Sequence, residues 1–236
     1  MAHRRRAMSH RSRLYPLLDL DCLALHGIEP LAAARELLIT RPFALQLRAK
    51  RASARETLEW LTRLAPLCRE AGVPLVANDR PDVAWLGGAN AVHVGQHDLP
   101  LPEVRRLLEL LAPGDELGGA APLRVGISTH DLGELERALV TKPDYVAFGP
   151  VFQTRSKQDP EPVVGTAGLA RAFEACQRAG VPLVAIGGVT RERAPEVAAH
   201  AAAVAVISDL YSGGLTEVRQ RAETFRQLLG ETPGLA

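Results

Sequence analysis

Eight strand-like segments that alternate with helix-like segments predict an α/β fold, a closed (β/α)₈ TIM barrel. The strand-like segments are rich in Val, Ile and Leu with little polar alternation, which is typical of parallel strands buried on both faces. The chain length of 236 residues is close to the ~250 residues of a typical barrel. The first strand is not followed by GxGxxG, the fingerprint that often marks an open doubly wound sheet.

The eight predicted units follow one another without a dividing linker, so residues 14–236 are expected to form one domain. The helix over Ser53–Ala71 begins with a capping box, since Glu56 follows Ser53 by three residues. The predicted strands are Leu14–Leu20, Pro42–Ala49, Pro74–Asn78, Ala91–Gly95, Leu123–Ser128, Asp144–Gly149, Pro182–Gly188 and Ala203–Ser208. The predicted helices are Pro30–Ile39, Ser53–Ala71, Pro81–Leu86, Leu101–Leu111, Asp131–Leu139, Thr166–Ala179, Arg191–His200 and Leu215–Leu229.

Charge and composition argue against several functional classes. The formal net charge of +1 gives no bulk electrostatic reason to bind nucleic acid or a membrane, and no apolar run reaches the roughly 18 residues that a membrane span needs. Residues 1–13 hold five arginines and are expected to be a disordered basic arm, with a transit-like segment or a nucleic-acid-binding arm as alternatives. Cys22, Cys68 and Cys176 form no CxxC pair, so we expect a soluble cytoplasmic protein without zinc or disulfides.

Polar residues and glycines collect at the carboxyl ends of the predicted strands, where barrels of this class carry their sites. Gln46, Arg48 and Lys50 alternate along "QLRAK", so they share one face and point into the barrel mouth. Two cations on one face repel each other unless an anion or an acid lies between them. We interpret them as anion-binding residues; the alternative is a salt bridge within the barrel to Asp79 or Asp98.

The strand-end residues separate into a metal site and two anion sites. Asp79 and Asp98 end neighbouring strands and are the hard oxygen ligands that suit Mg²⁺, which is usually held by one or two carboxylates together with phosphate. Two anion sites indicate an enzyme that joins two phosphorylated substrates. Donors for the first anion are Arg48, Lys50, Ser128, Thr154, Ser156 and Lys157. The second anion is expected at Gly187, Gly188, Ile207 and Ser208, where barrels often bind phosphate. His93 lies within an apolar strand and is expected to be a core histidine.

Six motifs at the ends of strands two to seven resemble the thiamine phosphate synthase family. They are "QLRAK", "NDR", "VHVGQHDLP", "GISTH", "FGPVFQTRSK" and "AIGG", in this order, and the resemblance extends from about Leu14 to Leu229. It implies a (β/α)₈ barrel that joins hydroxymethylpyrimidine pyrophosphate to thiazole phosphate with Mg²⁺. It also implies a dissociative mechanism, in which pyrophosphate leaves before the thiazole nitrogen attacks and no general base is needed.

The resemblance also implies a role for each matching residue. Lys157, Ser128, Arg48, Lys50 and Asn78 would hold the departing pyrophosphate. Thr154, Ser156, Gly188, Ile207 and Ser208 would meet the thiazole phosphate. Asp79 and Asp98 would hold Mg²⁺, and Gln46 would contact the pyrimidine. One departure concerns Asp209, which stands where a small neutral residue is expected; a carboxylate there repels phosphate unless it turns away.

Two other functions are compatible with the same barrel. A related aminothiazole tautomerase needs a proton shuttle such as His130 but no pyrophosphate site, so Lys50, Asp79, Asp98 and Lys157 would have no task. A non-catalytic binder of thiamine intermediates would have a damaged metal site, whereas Asp79 and Asp98 are both present. The expected partners are the two small-molecule substrates, without nucleic acid or membrane, and the chain could form a homo-oligomer.

Overall fold

Eight parallel strands form a closed barrel at the centre of the molecule. The computed structural model describes residues 11–111, 123–154 and 161–232. The barrel strands are hydrogen-bonded in chain order, and the last pairs with the first. They are β2 (Leu14–Asp19), β3 (Leu45–Arg48), β4 (Leu75–Asn78), β5 (Ala91–Val94), β6 (Arg124–Thr129), β7 (Tyr145–Phe148), β8 (Leu183–Ala185) and β9 (Ala203–Val206). The predicted (β/α)₈ barrel is therefore confirmed.

Helices connect successive strands and pack around the barrel. They are α1 (Leu20–Leu25), α2 (Pro30–Ile39), α3 (Ala54–Ala71), α4 (Pro81–Leu86), α5 (Leu101–Leu111), α6 (Leu132–Val140), α7 (Gly165–Ala179), α8 (Ala194–Ala198), α9 (Ser208–Tyr211) and α10 (Leu215–Leu229). The capping box of α3 forms as expected, with both Ser53 and Glu56 bonded. Helix α8 is shorter than the predicted Arg191–His200, because Pro195 fits only in the first turn of a helix.

The short helices α1 and α9 were not predicted. Both follow a barrel strand directly, with no polar segment in between to mark the change. Asp19 ends β2 and caps α1, since its Oδ1 accepts a hydrogen bond from Cys22 N at 2.8 Å. The predicted surface loop over residues 112–122 lies outside the described residues.

Large side chains fill the interior of the barrel below the mouth. Tyr15, Phe43 and Tyr145 are almost completely buried there, and the Tyr15 ring contacts the rings of the other two. Gly126 makes room for Tyr145, because a Cβ atom at that position would lie 2.1 Å from the Tyr145 ring. A second apolar layer, larger than the first, lies between the barrel and its surrounding helices.

A two-stranded antiparallel pair lies at the amino end of the barrel, opposite the mouth. Its strands are β1 (Arg11–Ser12) and β10 (Glu231–Thr232). The Arg13 side chain donates hydrogen bonds to the carbonyls of Leu229, at 3.1 Å, and of Ala198. The last three residues of the basic arm are thus attached to the fold rather than disordered, because their backbone and guanidinium groups find partners. Residues 1–10 lie outside the described residues.

The helices of residues 11–111, 123–154 and 161–232 include none with the length and apolar character needed to cross a membrane.

Candidate active site

Two adjoining cavities open at the carboxyl ends of the barrel strands. We call the first, of about 1020 Å³, the carboxylate lobe, and the second, of about 780 Å³, the glycine lobe. The carboxylate lobe contains Gln46, Arg48, Lys50, Asn78, Asp79, Asp98 and Ser128. The glycine lobe contains Arg48, Ser128, Thr154, Gly187, Gly188, Ile207 and Ser208. Arg48 and Ser128 border both, so the lobes form one continuous mouth. Two predicted site residues, Ser156 and Lys157, lie outside the described residues.

The two cations of "QLRAK" point into the mouth and are paired with acids there. Lys50 Nζ lies 2.6 Å from Asp79 Oδ2, which is one of the internal salt bridges weighed against anion binding. Arg48 pairs with Asp19 through its Nη1 atom. Asp19 was not predicted as a site residue, although it ends the first barrel strand, as the predicted site residues end theirs. Each cation is therefore held in place at the cavity wall by a carboxylate behind or beside it.

Asp79 and Asp98 come together at the carboxylate lobe. Asp79 adopts a left-handed backbone conformation, with φ of 68°, which turns the chain sharply after β4. Asp98 Oδ2 accepts a hydrogen bond from Gly95 N at 2.7 Å. Burial raises the pKa of the Asp98 carboxyl above its ordinary value, and the neighbouring Asp79 carboxylate raises it further. The Lys50 cation, which pairs with Asp79, lowers the pKa of Asp98 but does not cancel the effects of burial and of Asp79.

A chain of buried hydrogen bonds crosses the barrel below the carboxylate lobe. Gln46 Nε2 donates to the Tyr15 hydroxyl at 2.8 Å, and the Tyr15 and Tyr145 hydroxyls lie 3.0 Å apart. His93 lies 3.0 Å from the Tyr145 hydroxyl through Nδ1 and 2.8 Å from Ser128 Oγ through Nε2. Burial raises the pKa of both tyrosines, so their hydroxyls stay protonated.

Gln46 donates into this chain, and each tyrosine hydroxyl can both donate and accept. The direction of the remaining contacts is set by which ring nitrogen of His93 carries the proton. His93 is a buried core residue, as expected, and it also connects the barrel interior to a predicted site residue.

The glycine lobe is bounded by backbone from the ends of β7, β8 and β9. Gly188 has φ of 65°, and a Cβ atom on it would lie 2.4 Å from the carbonyl oxygen of Gln153. Phe152 N donates to Gly187 O at 3.0 Å, so the segment that follows β7 is fastened to the end of β8. The backbone itself thus requires a glycine at position 188, independently of any ligand.

The carboxylate of Asp209 turns away from the glycine lobe. It accepts hydrogen bonds from Arg191 N at 2.9 Å and from Arg191 Nε at 3.0 Å. Arg221 Nη1 lies 3.3 Å from the other carboxylate oxygen. The hydrogen bonds that Arg191 donates to Asp209 raise the pKa of the Arg191 guanidinium. The negative charge expected to repel phosphate is therefore compensated by two arginines.

Several residues of the mouth were not predicted from the sequence. Tyr15 and Glu161 line the carboxylate lobe, and neither is at the end of a strand. His130, which was considered as the proton shuttle of the alternative tautomerase, borders both lobes, and its Nδ1 lies 3.0 Å from Glu134 Oε2. Arg80, in the motif "NDR", is paired with Asp82 and lines neither lobe.

Together these features define a (β/α)₈-barrel enzyme whose mouth combines paired carboxylates, cations and a glycine-backed lobe. A family model described as thiamine monophosphate synthase matches residues 21–210. The chain belongs to this family.

Similar proteins match over most of their own length. A thiamine-phosphate synthase from Koribacter versatilis is 42% identical over 223 residues, which cover 92% of this chain and 95% of that protein. One from Chloroflexus aurantiacus is 38% identical and covers 80% of each chain. Among solved structures, a thiamine phosphate pyrophosphorylase from Pyrococcus furiosus superposes with a TM-score of 0.75 at 30% identity, over 92% of this chain and 94% of that one. A tryptophan synthase from Mycobacterium tuberculosis, with a TM-score of 0.63 at 12% identity, covers 93% of each chain and shares the fold alone.

Proposed function

We propose that this chain condenses hydroxymethylpyrimidine pyrophosphate with thiazole phosphate, giving thiamine phosphate and pyrophosphate. The chain belongs to the thiamine monophosphate synthase family, and relatives named thiamine-phosphate synthase match nearly its whole length. The observation that carries the proposal is the two-lobed mouth, because two phosphorylated substrates need two anion sites that meet. The reaction transfers a pyrimidinylmethyl group, so the chain is an alkyl transferase.

We place the pyrophosphate of the pyrimidine substrate in the carboxylate lobe. Arg48, Lys50, Asn78 and Ser128 face this lobe and supply N–H and O–H donors for phosphate oxygens. Positive charge held near the bridging oxygen stabilises the electrons that the leaving group takes as the C–O bond breaks. Lys157, which the sequence places on the loop after β7, adds a further cation.

Asp79 and Asp98 fit a magnesium ion. The described residues hold no cluster of three or more His, Cys, Asp or Glu side chains, but Mg²⁺ is usually held by one or two carboxylates with substrate phosphate and water. The raised pKa of Asp98 beside Asp79 indicates a pair of acids that a cation would stabilise. When bound, Mg²⁺ supplies positive charge to the pyrophosphate oxygens.

We place the thiazole phosphate in the glycine lobe. Thr154, Gly188, Ile207 and Ser208 border that lobe, and Ser156 follows Thr154 on the same loop in the sequence. Gln46 faces the other lobe and is held by Tyr15, which suits it to orient the pyrimidine. The departing pyrophosphate leaves a pyrimidinylmethyl cation between the lobes, and the thiazole nitrogen attacks that carbon with its own lone pair.

Apolar side chains line the junction where the cation would form. Leu17, Ala147, Ile186 and Ala205 border both lobes, so this part of the wall offers the reacting carbon no nucleophile. Exclusion of water protects the cation from hydrolysis, which would otherwise compete with attack by the thiazole nitrogen. The small alanine side chains leave room for two flat rings.

The decisive assay combines the purified chain with both substrates and Mg²⁺ and measures pyrophosphate and thiamine phosphate together. Both products should appear in equal amounts and only when both substrates are present. Lys50→Met should lower the rate strongly, because it removes a cation from the carboxylate lobe. Arg80→Met is the matched control, since Arg80 pairs with Asp82 and does not line either lobe. Conversion of a thiazole tautomer without pyrophosphate release would instead support the tautomerase.

We further infer that the chain works in the cytoplasm on these two small molecules, without nucleic acid or a membrane. The formal net charge of +1 and the wholly reduced cysteines support this inference. A homo-oligomer is compatible with it, and light scattering of the purified chain would measure the assembly.

A further inference from the structure

We propose that Asp209 is a positioning residue that ties together the two sides of the glycine lobe and thereby favours binding of the thiazole phosphate. The proposal rests on the proposed function and concerns this chain in particular, because a small neutral residue was expected at this position. It reverses the simplest electrostatic expectation, in which a carboxylate next to a phosphate site weakens binding.

The tie runs between segments that follow two different strands. Gly188 lies just after β8 and Ser208 just after β9, and both border the glycine lobe. Asp209 follows Ser208 directly, and its Oδ2 accepts from the backbone N of Arg191, three residues past Gly188, at 2.9 Å. A hydrogen bond to a main-chain N–H fixes the backbone itself, so it holds the two segments at a set separation.

The guanidinium of Arg191 strengthens this contact. Its Nε lies 3.0 Å from Asp209 Oδ2, and its Nη2 lies 3.2 Å from Oδ1, so the guanidinium binds both carboxylate oxygens. Such two-point contacts between guanidinium and carboxylate are strong and geometrically specific. Only 12% of the Asp209 side chain is exposed, against 30% of Arg191, so it is the carboxylate that is shielded from competing water.

A second arginine compensates the remaining charge. Arg221 Nη1 lies 3.0 Å from the carbonyl oxygen of Asp209 and 3.3 Å from its Oδ1. Arg221 also pairs with Glu217 at 2.7 Å. Two guanidinium groups and two carboxylates therefore form a neutral cluster beside the glycine lobe. The net electrostatic field of this cluster on a bound phosphate is weak, so the main effect of Asp209 is to hold the backbone at Arg191 in place.

The segment after β8 depends on side chains to hold its shape. Gly187 and Gly188 both have positive φ, which leaves this stretch with the conformational freedom of glycine unless contacts restrain it. Arg193 Nη1 donates to Gly188 O at 3.1 Å, and Asp209 fixes Arg191 between the two. Loss of the Asp209 contact should therefore loosen the wall that faces the thiazole phosphate.

The test compares Asp209→Asn with Glu217→Gln in steady-state kinetics. Both variants remove one negative charge from the same cluster, but the Glu217 carboxylate pairs with Arg221 and lines neither lobe. For Asp209→Asn we expect the KM for thiazole phosphate to rise roughly three- to thirtyfold, with kcat and the KM for the pyrimidine substrate within about twofold of wild type. Glu217→Gln should leave all three constants unchanged. A KM for thiazole phosphate that stays the same or falls in Asp209→Asn overturns the proposal.

A second comparison separates a structural tie from a purely electrostatic effect. If charge alone matters, Arg191→Ala and Asp209→Asn have opposite effects, and the double variant returns towards the wild-type KM. If the contact is a tie, the double variant is no worse than either single variant and remains impaired. Arg191→Ala also tests the tie alone should Asp209→Asn fail to fold. A wild-type chain that makes no thiamine phosphate refutes the proposed function and this inference with it, whereas an active wild type with an unaffected Asp209→Asn refutes the inference alone.

Discussion

Removal of one buried hydroxyl, in Tyr145→Phe, should destabilise the barrel and slow the reaction together. The Tyr145 hydroxyl lies 3.0 Å from both the Tyr15 hydroxyl and His93 Nδ1. Phenylalanine keeps the ring, its stacking on His93 and the space above Gly126, so the substitution removes hydrogen bonds and leaves the packing intact. The Tyr15 hydroxyl and His93 Nδ1 then each lack one hydrogen-bond partner.

The expected magnitude follows from those two partners. A buried group left without its partner costs about 1–3 kcal/mol, so two bonds that share one hydroxyl predict a loss of about 2–4 kcal/mol in the free energy of unfolding. For a chain of this size that corresponds to a fall in Tm of about 5–15 °C. His93 also loses one of its hydrogen-bond partners, so we expect kcat to fall because Ser128 is positioned through His93.

Urea unfolding followed by circular dichroism measures the first effect, and steady-state kinetics measures the second. Tyr211→Phe is the matched control, because Tyr211 is equally buried but its hydroxyl donates one bond, to Leu17 O at 2.9 Å, outside the chain that reaches Ser128. This control should lose about 1–2 kcal/mol and keep its kcat. The reasoning is refuted if Tyr145→Phe loses no more stability than Tyr211→Phe, or if its kcat equals that of the control.

Three further predictions concern the mouth and the barrel interior. Lys157→Ala should lower kcat on the order of 10²–10³-fold and leave the KM for thiazole phosphate nearly unchanged, because it removes one electrostatic donor to the leaving group. A raised KM for thiazole phosphate with normal turnover would assign Lys157 to that substrate instead. Asp98→Ala should lower turnover and raise the Mg²⁺ concentration needed for half-maximal rate. Asp82→Ala, which changes a carboxylate outside the lobes, should do neither. An unaltered Mg²⁺ titration in Asp98→Ala removes Asp98 from the metal site. Gly126→Ala should lower the free energy of unfolding by at least about 3 kcal/mol, because its Cβ would overlap the Tyr145 ring. Gly133→Ala, at an exposed position of α6, should change it by less than about 1 kcal/mol, and thermal melts measure both.

The barrel could be predicted because its units repeat a strong signal. Parallel strands buried on both faces are apolar throughout, whereas the helices that cover them have one apolar face. The two hydrophobic patterns therefore alternate over eight strand–helix units along the chain. Helices α1 and α9 give no such signal, since four to six residues are too few to show a period and they continue an apolar run. The pair β1 and β10 is still shorter, and its two strands lie more than 200 residues apart.

The convergence of the candidate residues at the barrel mouth could be predicted, but the pairing among them could not. Strand-end residues must meet in a barrel, which is why the described candidates from Gln46 to Ser208 border one mouth. Which cation meets which acid depends on the register between strands. Arg48 faces Asp19 because β2 and β3 place these two residues side by side. The contact between Tyr15 and Tyr145 spans 130 residues, and neither the sequence pattern nor the strand-end rule indicates it.

The strand pair at the amino end of the barrel has a consequence for protein engineering. Arg11 is the register partner of Thr232, so the two ends of the described fold meet on the side opposite the mouth. A short linker could join them, and new ends could be opened in a surface connection between units, as circular permutation allows where termini are adjacent. The same placement means that a fluorescent or affinity domain fused beyond either strand would lie a full barrel length from the substrates.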